Sequence, residues 1–351
     1  MVVVLMYKGL EISNAAITFW TSLIMLPWTL KPLWSPFMEI YKTKKFYVVT
    51  TELFTGIMFG IVALCLTLSD FFMASICGLA LIAFSGATHD IAGDGVYMSE
   101  LDNSQQSKYI GWQGAFYNIA KIVGTGLLVW LAGTLGELGI GAKGAWMTVL
   151  GTVAILMVVL SMYNACMIPM NECHSDSNIS VKQVATDLKE VIKDFFTKRH
   201  IWYYIAFIIL YRFAEGFVMK IVPIFLKTSI AEGGLGLSDK AIGLYYGTFG
   251  AAAFVIGSIL GGYYISRFGL KRTLFSLALV FNLPFAVYTY FALYQPSTEW
   301  LIASGIILEY FGYGFGFVGL TLFMMQQVAP GKHQMAHYAF ASGIMLSLIH
   351  I

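Results

Sequence analysis

The sequence predicts an all-α membrane protein, and three observations carry that expectation. Hydrophobic residues make up 58% of the 351 positions and charged residues 11%, with a mean hydropathy of +0.74; an ordinary soluble domain carries about 25% charged residues. Apolar runs recur along the chain with short polar intervals between them, each near the ~20 residues that cross a bilayer as a helix. The third observation is where the positive charges fall. If the turn Lys42 to Lys45 is cytoplasmic and each span crosses once, the cytoplasmic side holds Lys42, Lys44, Lys45, Lys108, Lys182, Lys189, Lys193, Lys198, Arg199, Arg267, Lys271, Arg272 and Lys332. The opposite side holds only Lys8, Lys143, Lys227 and Lys240. That is the asymmetry of the positive-inside rule. Lys31, Lys121, Arg212 and Lys220 are left within or near spans.

In chain order, Met1 to Met6 is apolar but too short to span, and without a basic leader it does not read as a secretory signal. The chain is therefore expected to begin inside an earlier helix. The first full span, Ala15 to Met38, carries Pro27, Pro32 and Pro36 with Lys31, so it should be kinked. Phe46 to Thr67 spans back, Ser69-Asp70 turns, and Phe71 to Val96 crosses again. Ser99 to Lys108 reads as a polar loop. Tyr109 to Ala132 is a span with Gly111, Gly114, Gly124 and Gly126, residues that allow close backbone approach. Gly133 to Gly144 reads as a loop and Ala145 to Met167 as a span. Asn171 to Lys198 is the long polar interval. Ser180 with Gln183 resembles a capping box there, and Val181, Val184, Leu188, Val191, Ile192 and Phe195 recur at helical spacing, which describes a surface-lying amphipathic helix. His200 to Pro223, Ala241 to Tyr264, Thr273 to Tyr294 and Trp300 to Met325 are further spans, and His337 begins another. The expected organisation is a bundle over 1–168, a cytoplasmic linker over 169–199 and a second bundle over 200–351.

Composition also excludes several functions. The net charge is +2 and the basic residues form no continuous stripe, which argues against a nucleic-acid partner. Cys65, Cys77, Cys166 and Cys173 are scattered without metal-ligand spacing and read as core-filling thiols. No cofactor or metal is expected. A membrane-embedded transferase should place a catalytic histidine or acid pair at the membrane surface. Here the acids fall within spans and no Ser/His/Asp or Cys/His arrangement is visible, so the chain does not read as an enzyme. His174, His200, His333 and His337 are expected in loops or at helix ends.

The chemistry is concentrated in a few intramembrane polar residues. Ala87 to Tyr97 places His89, Asp90 and Asp94 at the end of an apolar run, with the two acids four apart on one helix face. Ionisable groups in a span are costly unless they face a bundle interior or a water-filled cavity, and there they mark substrate or proton pathways. The alternative is that they end the helix in water. Arg212 and Glu215, three apart, can pair as a gate or as a structural clip. Glu309 stands in an apolar span and is the foremost proton-carrier candidate of the second half; its alternative role is a hydrogen bond to a neighbouring helix. Lys31 and Lys121 offer positive charge to an acidic substrate, while Lys220 is expected to snorkel. Gln113, Tyr117 and Asn118 lie near Lys121 and supply hydrogen-bonding and aromatic groups. Phe311, Tyr313, Phe315 and Phe317 could stack a sugar ring but fit packing better.

Gly262-Tyr263-Tyr264-Ile265-Ser266-Arg267-Phe268-Gly269-Leu270-Lys271-Arg272 resembles the Gly-x-x-x-Asp-Arg-x-Gly-x-Lys/Arg signature of the major facilitator superfamily, with Ser266 in place of the acid. Glu39 to Lys45 is its weaker first-half counterpart. Within that superfamily, Leu26 to Pro36 resembles the second helix of the AmpG-type muropeptide permeases. Ser85 to Tyr97 is similar to their Ser-Ala-Thr-Gln-Asp-Ile-Ala-x-Asp-x-Tyr segment, and Leu308-Glu309 with the glycines that follow is similar to their tenth helix. His89 replaces the family's Gln, Gly93 and Gly95 loosen the acidic segment, and Ile40 stands where Arg is usual.

The resemblance implies two pseudo-symmetric six-helix halves, of which this chain would hold about helices 2–10 with remnants of 1 and 11. Leu346 to Ile351 matches a translated sequencing adapter, as expected of a reading frame that ran off a truncated DNA fragment. It further implies a monomeric, multi-pass symporter of the bacterial inner membrane, importing N-acetylglucosaminyl-anhydro-N-acetylmuramic acid species with protons by alternating access. Asp90, Asp94, Arg212, Glu215 and Glu309 would serve proton coupling or gating. Lys31, His89, Gln113, Tyr117 and Lys121 would bind substrate. A transporter of an oligosaccharide, siderophore or acyl-coenzyme is the alternative within the class, and an inactive fragment is a third possibility.

Overall fold

A computed structural model describes residues 2–169 and 181–347, and the described backbone is helical without a β-strand. Ser180, Cys173, His174 and 348–351 lie outside the described residues, as do the side chains of Val181, Gln183, Val184 and Lys220.

After α1 (Val2–Gly9), the proline-bearing span is a series of short pieces: α2 (Asn14–Ile24), α3 (Leu26–Leu30), a 3-10 turn at Lys31–Leu33, and α4 (Ser35–Ile40). Pro27, Pro32 and Pro36 each sit in the first turn of a piece, where a missing backbone donor costs no intrahelical bond. Thr43 caps α5 (Lys44–Cys65) by accepting from the Phe46 amide at 3.1 Å. The helix α6 then runs from Phe71 to Glu100.

Three sequence expectations are corrected here. The loop expected over Ser99 to Lys108 is mostly helix, because α7 (Asn103–Ile122) starts early. Its start is fixed by a reciprocal cap: Asp102 Oδ1 accepts from the Gln105 amide at 2.8 Å, and Gln105 Oε1 accepts from the Asp102 amide at 3.1 Å. Gly133 to Gly144 is not an irregular loop either. Helical turns continue through α8 (Leu128–Leu135) towards α9 (Gly141–Met167), interrupted where Gly139 (φ 87°) and Gly141 (φ 77°) take positive dihedrals. Asn103–Met167 counts 65 residues, which would reach ~100 Å as one straight helix, over three bilayer cores. The break at Gly139 therefore separates two spans. Finally, after α10 (Val181–Thr197), α11 runs from Ile201 to Lys227 with Pro223 inside it. Fully buried Leu226 anchors the turn beyond the proline, a placement membrane helices tolerate.

The short α12 (Asp239–Ile242) leads through π-helical turns into α13 (Gly250–Phe268). Gly269 (φ 83°) makes the sharp turn into α14 (Leu270–Asn282). A 3-10 turn around Pro284, α15 (Ala286–Tyr294), α16 (Glu299–Phe323) and α17 (Gln334–Ser347) complete the described chain. Six helical stretches among the described residues are long and apolar enough to cross a membrane: Lys44–Cys65, Phe71–Glu100, Asn103–Met167, Gly243–Phe268, Leu270–Tyr294 and Glu299–Val328.

The chain divides into two compact units. Unit 1 is Met1–Ser99, Ala120–Thr197 and Gly331–Gly343. In it α5 packs on α9, with Gly56 set against Ala154 and Val158, and Tyr7, Ile17, Val62, Leu66 and Trp146 share one core. The amphipathic α10 buries Val191 and Phe195 completely. His337 lies in the first turn of α17, at a helix end as expected, and is buried, with Nε2 3.2 Å from the Val191 carbonyl and its ring beside Phe195 and Phe340. His333 is buried as well.

Unit 2 is Glu100–Ile119, Lys198–Pro330 and Ile344–Ile351. Its spine is the seam between α13 and α16. Gly257 and Gly261 lie on the carbonyls of Phe311 and Phe315, and Gly314 lies on the Phe254 backbone, so an added methyl at any of them would overlap main chain. Small residues on both helices permit this backbone-to-backbone approach, which stabilises helix pairs in lipid. The Lys198 ammonium donates to the carbonyls of Val328 (2.6 Å), Ala329 (3.1 Å) and Pro330 (2.7 Å), just beyond α16.

Candidate functional site

Among the described residues, each unit brings polar side chains together within its helices. In unit 1 the cluster is built on α6. Asp90 Oδ2 accepts from Lys31 Nζ at 3.0 Å and from Trp28 Nε1 at 2.9 Å. Lys31 comes from the 3-10 turn in the broken span and is buried, while the Asp90 side chain is 47% exposed. The breaks at Pro27 and Pro32 let one short segment present an ammonium and an indole to the same carboxylate. Asp94 follows one turn later on α6 and is partly exposed.

His89, next to Asp90, turns both ring nitrogens to α5. Nδ1 lies 3.2 Å from Thr51 Oγ1, and Nε2 lies 3.8 Å from Glu52 Oε1. Asn164 of α9 donates to that same Glu52 oxygen at 2.8 Å. Sequence reasoning passed over Glu52, although an acid in the middle of the Lys44–Cys65 span carries the same signal that singled out Glu309.

In unit 2, Arg212 meets Glu215 on one face of α11. Its Nε bonds Oε2 and its Nη2 bonds Oε1 at 2.8 Å, while Tyr313 donates to Glu215 Oε1 at 3.1 Å. Both charged side chains are buried, and the guanidinium lies 5.5 Å from the Phe317 ring centre, where cation–π attraction assists. Glu309 on α16 is also buried and accepts from the Tyr288 hydroxyl at 3.0 Å. Tyr313 thus serves as a hydrogen-bond donor, whereas Phe311 and Phe315 stack on each other at 5.8 Å.

The remaining sequence candidates lie on α7. Gln113, Tyr117 and Lys121 recur every fourth residue on α7 and are exposed, with Tyr117 at 71%. Asn118 is turned back on its own helix, donating to the Gly114 carbonyl at 2.9 Å.

One further group has ligand atoms within metal-binding reach. Glu190 and Asp194 on α10 and His333 before α17 bring theirs within 4.8 Å of one another. Lys332 donates to Glu190 at 3.1 Å, and His333 Nε2 lies 3.6 Å from Asp194. The Lys332 ammonium holds the Glu190 carboxyl below its ordinary range, first through the hydrogen bond and then through its charge. The Lys332 ammonium thus offsets the negative charge of Glu190 in this group.

The helical architecture and these intramembrane charges define a multi-pass helical membrane protein. The chain belongs to the Major Facilitator Superfamily, whose model matches residues 1–351. It is similar to the anhydromuropeptide permease of Escherichia coli K12, with 24% identity over 261 residues, covering 72% of this chain and 49% of that protein. It is also similar to the putative transporter AmpG 3 of Rickettsia typhi, with 25% identity over 272 residues, covering 71% of this chain and 59% of that protein. The chain therefore spans 49% and 59% of the lengths of these two relatives. Among solved structures, the Escherichia coli fucose:proton symporter FucP matches with a TM-score of 0.69 at 15% identity, covering 94% of this chain and 82% of that one. A bacterial homologue of the iron transporter ferroportin, in its outward-facing state, matches with a TM-score of 0.70 at 15% identity, covering 99% and 83%. These two show the fold alone.

Proposed function

We propose that the protein imports muropeptide-type amino sugars together with protons across the bacterial inner membrane, by alternating access between bundles over 1–168 and 200–351. The observation that carries this reading is the Lys31–Asp90–Trp28 cluster, set in the two segments that resemble the muropeptide permeases. A buried ammonium whose partner is a half-exposed carboxylate is poised to exchange that partner for the carboxylate of an acidic sugar. The Trp28 indole adds an aromatic face of the kind that sugars stack against. Gln113, Tyr117 and Lys121 supply further hydrogen-bonding groups along α7.

Proton coupling falls to a carboxyl among Asp90, Asp94, Glu215 and Glu309. Glu309 suits the role best, since it is buried and held by a single neutral donor, Tyr288, whereas Glu215 is committed to Arg212. The protein acts as a monomer in this scheme.

The test is uptake of labelled anhydro-muropeptide into proteoliposomes with and without an imposed proton gradient. Gradient-driven uptake that is lost in Glu309→Gln, with substrate exchange retained, is the expected result. Uptake indifferent to the gradient would overturn the proton coupling. Failure to carry this solute while carrying an oligosaccharide, siderophore or acyl-coenzyme would overturn the substrate.

A further inference from the structure

We infer that Glu52 and His89 form a proton-binding site in unit 1 that holds one exchangeable proton between a carboxylate and an imidazole. The inference starts from the Thr51 hydroxyl. Its hydrogen is directed to backbone carbonyls of its own helix, Tyr47 at 2.6 Å and Val48 at 3.1 Å. Thr51 Oγ1 can therefore only accept from His89 Nδ1, 3.2 Å away, which places a hydrogen on Nδ1. In the neutral imidazole that leaves Nε2 as a bare lone pair, aimed at Glu52 Oε1 3.8 Å away.

Two acceptors facing each other at that distance repel unless a proton sits on one of them. The pair is either imidazolium with carboxylate or imidazole with carboxylic acid, and both carry one proton more than the repulsive state. Burial sharpens the requirement. The Glu52 side chain is 6% exposed, and a carboxylate so placed needs a cation or a proton. Asn164 satisfies Oε1 at 2.8 Å, but Oε2 is buried with no hydrogen-bond partner. Around the carboxyl, α6 contributes His89, and α9 contributes the neutral Asn164; the next acid along α6, Asp90, is engaged by Lys31 and Trp28. The His89 side chain is 33% exposed, so the imidazole gives the proton a way to and from water while Glu52 stays covered.

The consequence for transport rests on the reading proposed above; the proton site itself does not. Loading or unloading this proton changes the charge at the residue adjoining Asp90, and so the hold of Lys31 on its partner. His89, grouped with the substrate-binding residues on sequence, is in this assignment the gate for the proton.

Infrared difference spectroscopy of the purified protein in lipid nanodiscs, titrated with pH in H2O and D2O, reads the protonated-carboxyl band directly and needs no transport. The expected result is a titrating carboxyl band that is absent in Glu52→Gln, has a shifted midpoint in His89→Gln and is unchanged in Glu309→Gln. A spectrum identical in wild type and Glu52→Gln would overturn the site, as would a Glu52 band indifferent to both pH and His89→Gln. Should Glu52→Gln fail to fold, His89→Gln alone decides, since it leaves the carboxyl in place. If the band behaves as expected while proteoliposomes show no proton-driven uptake, the symport reading fails and the proton site stands.

Discussion

The clusters of the two units use the same kinds of groups, a basic side chain, acids and aromatic donors, and arrange them in opposite ways. In unit 2, Arg212 and Glu215 are both buried, bonded to each other twice, and braced by Tyr313 and Phe317. In unit 1, Lys31 is buried but its partner Asp90 is 47% exposed, and Glu52 next door keeps an oxygen without a partner. A saturated cluster resists change because any rotation breaks several bonds at once in a low dielectric. An unsaturated, half-exposed one can trade a partner for a ligand or a proton at modest cost. The difference makes the Arg212–Glu215 pair the rigid one and leaves Asp90 and Glu52 more open to exchange.

The largest effect should come from breaking the saturated cluster. Arg212→Gln leaves Glu215 buried without its cation, and thermal unfolding in detergent should show a loss of about 3–5 kcal/mol. A loss near zero would mean the pair is not sealed as the geometry has it. Next in size, Gly314→Ala drives a methyl into the Phe254 backbone across the α13–α16 seam, and overpacking there should cost about 1–3 kcal/mol, measured the same way. In unit 1, Asp90→Asn keeps an acceptor for Lys31 and Trp28 while removing the charge. Its stability cost should be only about 1 kcal/mol, while affinity for an acidic substrate should rise, because Lys31 no longer has a competing carboxylate. A stability loss as large as that of Arg212→Gln would erase the contrast.

The smallest effect lies outside the membrane. Lys332 holds the Glu190 carboxyl below its ordinary value, so the pair's contribution is present at neutral pH and is lost as pH falls through the folded-state value. Lys332→Gln should therefore lower the melting temperature slightly at pH 7, and the gap should close in acid. Both groups are substantially exposed, so added salt should shrink the gap as well.

Much of the fold is legible in the sequence because lipid leaves the backbone few options. Apolar length marks the spans, the three prolines mark the broken helix, and apolar spacing marks α10. What escaped was local or long-range. The Asp102–Gln105 cap turned an expected loop into helix, and polarity alone does not distinguish a capped helix start from a loop. Pro223 did not end α11, and Leu226 in the turn beyond it is fully buried. His333 and His337 look peripheral by position, yet residues more than 130 positions earlier bury them, as the Val191 contact shows with a separation of 146. The i,i+3 spacing made Arg212 and Glu215 legible as neighbours, whereas Lys31–Asp90 and Glu52–His89 join different helices, and no sequence spacing encodes such a meeting.

The lysine that gathers the carbonyls just beyond α16 also bears on the order in which the chain assembles. Lys198 is synthesised 130 to 132 residues before the groups it binds. The entropy of closing so long a loop grows only slowly with its length, but closure cannot begin until the later segment exists. Helices α11 to α15 can therefore pair with their neighbours as they emerge, each over a short stretch of chain, while this knot waits for the last of them. The closing of this contact is timed by the length of the message between Lys198 and Pro330.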